Sequence, residues 1–273
     1  MKEDYNKQLA ELYRDMKQFK KAQRVEDCST KTFIAENFNE ETGEVTRSKV
    51  GAMRCHCGFC PICAETKTRY ERYIAYQILP KILDTYKTLS MTITLEAGHI
   101  SKAREQIAKL HEIFIKLVRS KWFKPFIHGY ISHIEWSQIE DDHINLHLHA
   151  VLFVSGSILG RQWVSSLKLG DLIQQYGDLD YYPICKISKV GTTNTSKTVN
   201  YILKKQDIEL DYVKILDEQL KHTRLFSYGG IYKHKRREFI DKLKKENKPN
   251  KDNNIILYSI DTDKADNFID FIL

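Results

Sequence analysis

The string His143-Ile-Asn-Leu-His-Leu-His-Ala-Val-Leu-Phe153 constrains this chain more than any other. Aliphatic and polar residues alternate through it, which is the period of a β-strand with two unlike faces. Residues two apart point the same way. His147 and His149 therefore project together, with Asn145 and His143 in line behind them. Leu146, Leu148, Ala150 and Leu152 face the other way, into a core. Two imidazoles side by side can hold one divalent ion, and a carboxylate would complete the set. Glu135 is the leading candidate, because a short connection brings its strand alongside; Glu140, Asp141, Asp142 and His133 are lesser ones. The alternative is that the histidines form only the polar face of an amphipathic strand. Imidazoles favour transition metals, whereas a carboxylate and a phosphate suit Mn or Mg, so the metal stays open.

The strand candidates 127–137 and 144–154 are joined by a turn at Glu140-Asp141-Asp142, too short for a parallel crossover. They should pair antiparallel. Leu89–Leu95 alternates as another half-buried strand, and Tyr182–Ser188 is a fourth candidate. Helical spacing marks Lys2–Arg24 (Leu9, Leu12, Met16, Phe19) and Ser101–Arg119 (Ile107, Leu110, Phe114, Leu117, Val118). Further helices are expected over Pro61–Leu83, Leu159–Leu172, Thr195–Lys205 and Tyr212–Lys221. Thr32–Phe38 and Val45–Val50 read as a hairpin turning at Glu41-Thr42-Gly43, and Ile255–Ile260 as one more strand. The expected class is α+β: a central antiparallel sheet with helices on one face, plus a small zinc-stabilised N-terminal unit. The implied division is 1–84, carrying the first helix and the cysteines, and 85–273, carrying the histidine strand and a basic segment, Lys233–Lys248.

Four of the six cysteines lie within nine residues, in Cys55-His-Cys-Gly-Phe-Cys60-Pro-Ile-Cys63. Such clustering, in a chain expected to be cytosolic, argues for metal rather than disulfides. Four thiolates, or three and an imidazole, suit tetrahedral structural zinc. The candidate ligands are Cys55, Cys57, Cys60 and Cys63, with His56 among them and Cys28 upstream. Reduced surface thiols are the alternative, at the cost of an oxidation liability. Cys185 stands alone and reads as a core cysteine.

Composition excludes several classes. At 42% hydrophobic and 29% charged residues the chain is neither disordered nor fibrous. No apolar run is long enough to cross a membrane, and the charged N-terminus has no secretory h-region, so a cytoplasmic protein is expected. A net charge of +7 is a mild bias towards polyanions. No phosphate-binding glycine loop and no His-Glu-x-x-His pattern occurs.

The histidine–hydrophobe–histidine strand resembles that of the HUH endonucleases. Leu146-His-Leu-His-Ala-Val-Leu152 is similar to the form found in plasmid rolling-circle replication initiators. Leu89-Ser-Met-Thr-Ile-Thr-Leu95 resembles the family's first strand motif. Gly129-Tyr-Ile-Ser-His-Ile-Glu-Trp-Ser137 resembles the segment whose glutamate joins the metal, and Phe226-Ser-Tyr-Gly-Gly-Ile-Tyr232 a late motif. The family's Cys-x-x-x-x-Cys-Pro-x-Cys run maps onto Cys55, Cys60 and Cys63, which leaves Cys28, then Cys57, then His56 as choices for the fourth place. The resemblance covers roughly Cys28 to Lys233. It implies a divalent ion, Mn or Mg, on His147, His149 and Glu135, with nicking of the plasmid origin and a host helicase and DNA polymerase as partners. A conjugative relaxase, a single-strand transposase and a non-enzymatic zinc-bearing nucleic-acid module are the competing readings.

The family carries its nucleophilic tyrosine on a helix after the histidine strand. The match here is Ser196-Lys197-Thr-Val-Asn-Tyr201-Ile-Leu-Lys204-Lys205. On a helix Lys197, Tyr201, Lys204 and Lys205 would share one face, with Val199, Ile202 and Leu203 turned inward. A phenol is a weak nucleophile at neutral pH, and neighbouring ammonium groups favour the phenolate while gripping phosphate. Many relatives have a glutamate four residues before the tyrosine, active in termination; Lys197 stands there in this chain. Basic side chains, among them Lys197, Lys233, Lys235, Arg236 and Arg237, would hold DNA by its phosphates. The implied reaction leaves a 5′-phosphotyrosine and a free 3′-OH.

Overall fold

The computed structural model of the chain describes residues 2–38, 45–137, 141–156, 165–204, 209–246 and 255–261. In chain order its elements are α1 (Lys2–Asp15), α2 (Phe19–Glu26), β1 (Lys31–Phe38), β2 (Val45–Ala52), α3 (Pro61–Leu83), β3 (Lys87–Thr94), β4 (Gly98–His99), α4 (Ala103–Arg119) and β5 (Ile127–Trp136). There follow β6 (His143–Ile144), β7 (Leu146–Val154), α5 (Ser166–Gly177), β8 (Ile184–Val190), α6 (Thr192–Ile202), α7 (Leu210–Gln219), β9 (Phe226–Gly229), α8 (Gly230–Glu246) and β10 (Ile255–Asp261). The chain divides into two compact units. One comprises Met1–Lys67, Asp207–Asp211 and Lys244–Leu273; the other comprises Thr68–Gln206 and Tyr212–Leu243. Where the sequence suggested a division after residue 84, these units part within α3, between Lys67 and Thr68.

In the first unit two helices stand where one was expected over Lys2–Arg24. Lys17 adopts a left-handed φ of 58°. Its N–H donates to the Arg14 carbonyl at 2.8 Å, and the Gln18 N–H reaches back to the Tyr13 carbonyl at 2.8 Å. That pair of bonds is a Schellman stop, with lysine in the place glycine usually takes. The helical phase is lost there, so Phe19 is exposed, while Leu9, Ala10, Tyr13, Ala22 and Val25 are buried. β1 and β2 pair antiparallel as expected; the turn at Glu41-Thr42-Gly43 lies outside the described residues. The other edge of β1 is covered by β10, giving a sheet of order β10-β1-β2.

The second unit is built on a five-stranded sheet of order β8-β3-β7-β5-β9, antiparallel at every step. β5 and β7 are neighbours, as their short connection required. One face of the sheet carries Glu135, His147 and His149 at one end and Ile131, Val151 and Phe153 at the other. The apolar end is covered by Ile74, Ile78 and Ile82 of α3, Val199 and Ile202 of α6, and Tyr232 of α8. The opposite face carries Leu89, Met91, Leu148 and Leu152, all buried. There α4 packs against the sheet, with Phe114 edge-on to Tyr130 at 4.9 Å. Helices thus cover both faces, not one as expected. The reason is that Val151 and Phe153 share the histidines' face and need their own cover. Each such buried side chain contributes roughly 1.5–3 kcal/mol. Among the described residues no helix is long and apolar enough to cross a membrane.

Residues 159–164, the start of one expected helix, lie outside the described residues; α5 follows at Ser166–Gly177. β9 runs directly into α8 through Gly229-Gly230. Gly230 has φ +53°, and a Cβ there would lie 2.0 Å from the His128 carbonyl oxygen. Both the conformation and the space exclude a side chain. Gly230→Ala is therefore expected to destabilise the chain by about 2 kcal/mol or more, read as a lowered urea midpoint at unchanged slope.

Candidate active site and cysteine cluster

The antiparallel register sets the geometry. Glu135 lies opposite His147, and His133 opposite His149. From β3, Thr94 lies opposite His147 and Thr92 opposite His149. Cross-strand partners share a face, so three strands deliver six polar side chains to one patch. His147 Nδ1 is 2.8 Å from Thr94 Oγ1, and His149 Nδ1 is 3.1 Å from Thr92 Oγ1. His149 Nε2 lies 2.8 Å from Glu135 Oε1, and Lys204 Nζ lies 2.9 Å from Glu135 Oε2. Burial would raise the Glu135 carboxyl, but the hydrogen bonds from His149 and Lys204 outweigh it and hold it at about 2. Burial pushes His147 down, and the neighbouring His149 ring works in the same direction. That keeps a neutral imidazole available as a ligand. His133 is buried against Phe226, ring on ring at 4.0 Å, and its burial holds it at about 4.

Tyr201 ends up beside this patch. Its ring is edge-on to His149, with centroids 5.7 Å apart, and the residue is 51% exposed. Val199, Ile202 and Leu203 are buried beneath it, as expected. Arg72 of α3 donates to the Asn200 carbonyl at 3.1 Å and so braces the last turn of α6. The lysines are not arranged as the helical wheel suggested. α6 stops at Ile202, so Lys204 lies beyond it and turns back, its ammonium 4.3 Å from the centre of the Tyr201 ring. Lys197 is exposed on α6, one turn before Tyr201; Lys205 and Glu140 lie outside the described residues. Thr92 and Thr94 were not singled out as site residues in the sequence. The period-two match of Thr92-x-Thr94 to His147-x-His149 was the one available signal.

The basic residues of α8 have different positions. Lys233 is exposed, and Lys235 pairs with Glu238 at 3.0 Å. Arg237 has 84% of its side chain exposed. Arg236 is instead turned inward. Its guanidinium grips Glu71 at 2.6 and 3.2 Å, and Tyr228 donates its hydroxyl to the same carboxylate at 3.0 Å. Arg236 is thus committed to a packed ion pair and is not the open phosphate contact the sequence suggested.

In the first unit, the sulfurs of Cys28, Cys55, Cys60 and Cys63 all lie within 4.8 Å of one another. Among the described residues this is the one such gathering of potential ligands; His147, His149 and Glu135 are not drawn together as tightly. Four converging thiols could hold a metal ion such as zinc. The open fourth place goes to Cys28, not to Cys57 or His56. His56 has a left-handed φ of 55°, and Cys57 is turned away, its sulfur 3.4 Å from the Tyr13 hydroxyl. The Cys57 N–H instead donates to the Cys55 sulfur at 3.4 Å. Asn6 donates to Cys60 at 3.3 Å. The Cys55 hydrogen bond, chiefly, lowers the Cys60 thiol to about 5, with Asn6 and Cys28 adding to it.

Two outcomes follow from these placements. Arg236→Ala should lower the unfolding free energy by about 2 kcal/mol, whereas Arg237→Ala should stay within about 0.5 kcal/mol of the parent, both by urea titration. In a zinc competition assay Cys60→Ser should weaken binding by about 3 kcal/mol, a quarter of a typical four-ligand site, while Cys57→Ser should bind like the parent.

A model of the Replication protein family matches residues 47–269 of the chain. A Protein rep from Lentilactobacillus hilgardii is 25% identical over 264 residues, covering 85% of this chain and 79% of the relative. A Protein rep from Bacillus amyloliquefaciens is 25% identical over 246 residues, covering 78% and 71%. No solved structure matches the chain. The family match spans Cys55–Cys63, the strands bearing Glu135, His147 and His149, and the helix bearing Tyr201, and the chain accordingly belongs to the Replication protein family.

Proposed function

We propose that the chain initiates rolling-circle replication of a plasmid by nicking one strand of the origin with Tyr201. The observation that carries this reading is the meeting of four groups on one face: Tyr201 edge-on to His149, His149 on Glu135, and Lys204 shared by Glu135 and Tyr201. A phenol, two imidazoles and an ionised carboxylate are what transfer of a phosphodiester to tyrosine needs.

The donor set fits a divalent ion. His147, His149 and Glu135 share a face, the carboxylate is ionised, and it already attracts a cation in the Lys204 ammonium. Two imidazoles with one carboxylate suit Mn or Mg opposite a phosphate substrate. Such an ion, when bound, withdraws charge from the scissile phosphate. The rest is the work of this chain's residues. The Tyr201 oxygen attacks phosphorus; the bond from phosphorus to the 3′ oxygen breaks. The phenolic proton is lost and the departing 3′ oxygen takes one up, so the balance closes without hydrolysis. The products are a 5′-phosphotyrosine and a free 3′-OH that a host polymerase extends while a helicase opens the duplex. Lys204 lies where it can offset charge on the attacking oxygen and the phosphate. Lys197, exposed one turn before Tyr201, is available to a neighbouring phosphate. Zinc on Cys28, Cys55, Cys60 and Cys63 would brace the first unit.

The test is adduct formation with a labelled single-stranded origin oligonucleotide in Mn. The parent chain should form a covalent species stable to denaturation. Tyr201→Phe should abolish it, a loss of at least about 10³-fold, while oligonucleotide affinity stays within about threefold. An undiminished adduct in that variant would assign the nucleophile to another residue.

A further inference from the structure

We infer that Thr92 and Thr94 are the positioning residues of His149 and His147: their hydroxyls hold the two rings with Nε2 towards the candidate metal site. The inference rests on the reading of His147, His149 and Glu135 as metal ligands. It gives a role to the strand Leu89–Leu95, which the proposed chemistry leaves unused.

The register makes the contacts inevitable. Thr92 is the direct cross-strand partner of His149, and Thr94 of His147. A hydroxyl one bond from Cβ is then placed against the Nδ1 edge of each ring, at 3.1 and 2.8 Å. Thr94 is buried, so water does not readily replace its hydroxyl. Threonine is also β-branched, which limits its rotamers and fixes where the oxygen stands.

The choice of a hydroxyl has a chemical reason. An imidazole that binds a metal through Nε2 carries its proton on Nδ1, so its Nδ1 partner must accept. In the arrangement described, His149 Nε2 is 2.8 Å from Glu135 Oε1. There Nε2 donates to the carboxylate, and in the neutral ring Nδ1 accepts from its partner. A hydroxyl does either by turning about its C–O bond. A carbonyl only accepts and an ammonium only donates, so neither would hold the ring in both states. The threonines keep the rings aimed whether or not the site is loaded.

The experiment is Mn binding to the full chain, followed by the electron paramagnetic resonance signal of free Mn. Thr92→Val and Thr94→Val should each weaken binding about tenfold or more, and Thr→Ser at either position should remain within about threefold of the parent. Nitrogen-15 spectra of labelled histidine should show the Nδ1 hydrogen bond lost in the valine variants and kept in the serine variants. Where valine unfolds the chain by circular dichroism, alanine at the same position takes its place. Valine or alanine variants that bind Mn like the parent overturn the inference. Serine variants as weak as valine overturn it too, since they would assign the effect to packing of the methyl group. A parent chain that binds no Mn would instead defeat the metal-ligand reading itself, and the role of the threonines with it.

Discussion

Glu135 is an ionised carboxylate set inside a sheet, and the candidate site depends on keeping it charged. Burial works against that charge; His149 and Lys204, each within 3 Å of one carboxylate oxygen, more than compensate. The same two contacts fix the rest of the patch. His149 is held between Glu135 and Thr92, so its edge meets the Tyr201 ring. Lys204, drawn back to Glu135, brings the end of α6 down onto the sheet. One charged atom group therefore ties β5, β7 and the segment carrying the tyrosine to a common point.

The sheet can host such a patch because β7 is divided along its length. Its first half exposes histidines to one side, and its second half buries Val151 and Phe153 on that same side. α3, α6 and α8 cover the apolar half and stop short of the polar half. The helix edge thus becomes the wall of the site, and Arg72, bonded to the Asn200 carbonyl, joins two of those helices next to Tyr201.

Much of this was legible from local pattern. Period-two alternation located the histidine strand, and the short connection before it correctly indicated an antiparallel neighbour bearing Glu135. The buried side of the tyrosine helix was also readable, because Val199, Ile202 and Leu203 recur at helical spacing. What escaped was nonlocal or terminal. β3 reaches β7 across more than fifty residues, so no window of sequence shows Thr92 against His149. α6 ends at Ile202, three residues before the expected end at Lys205, which misplaced Lys204. Lys17 stops α1 in a conformation that its residue type does not advertise. Arg236 reads as one of a basic run, and only its pairing with Glu71, 165 residues away, shows it facing inward.

The pairing of β10 with β1 has a consequence for biosynthesis. β1 is made early, yet its partner at Ile255–Asp261 leaves the ribosome only after the whole five-stranded unit has been translated. During that interval the nascent chain carries a bare strand edge, with unpaired amides able to capture foreign strands.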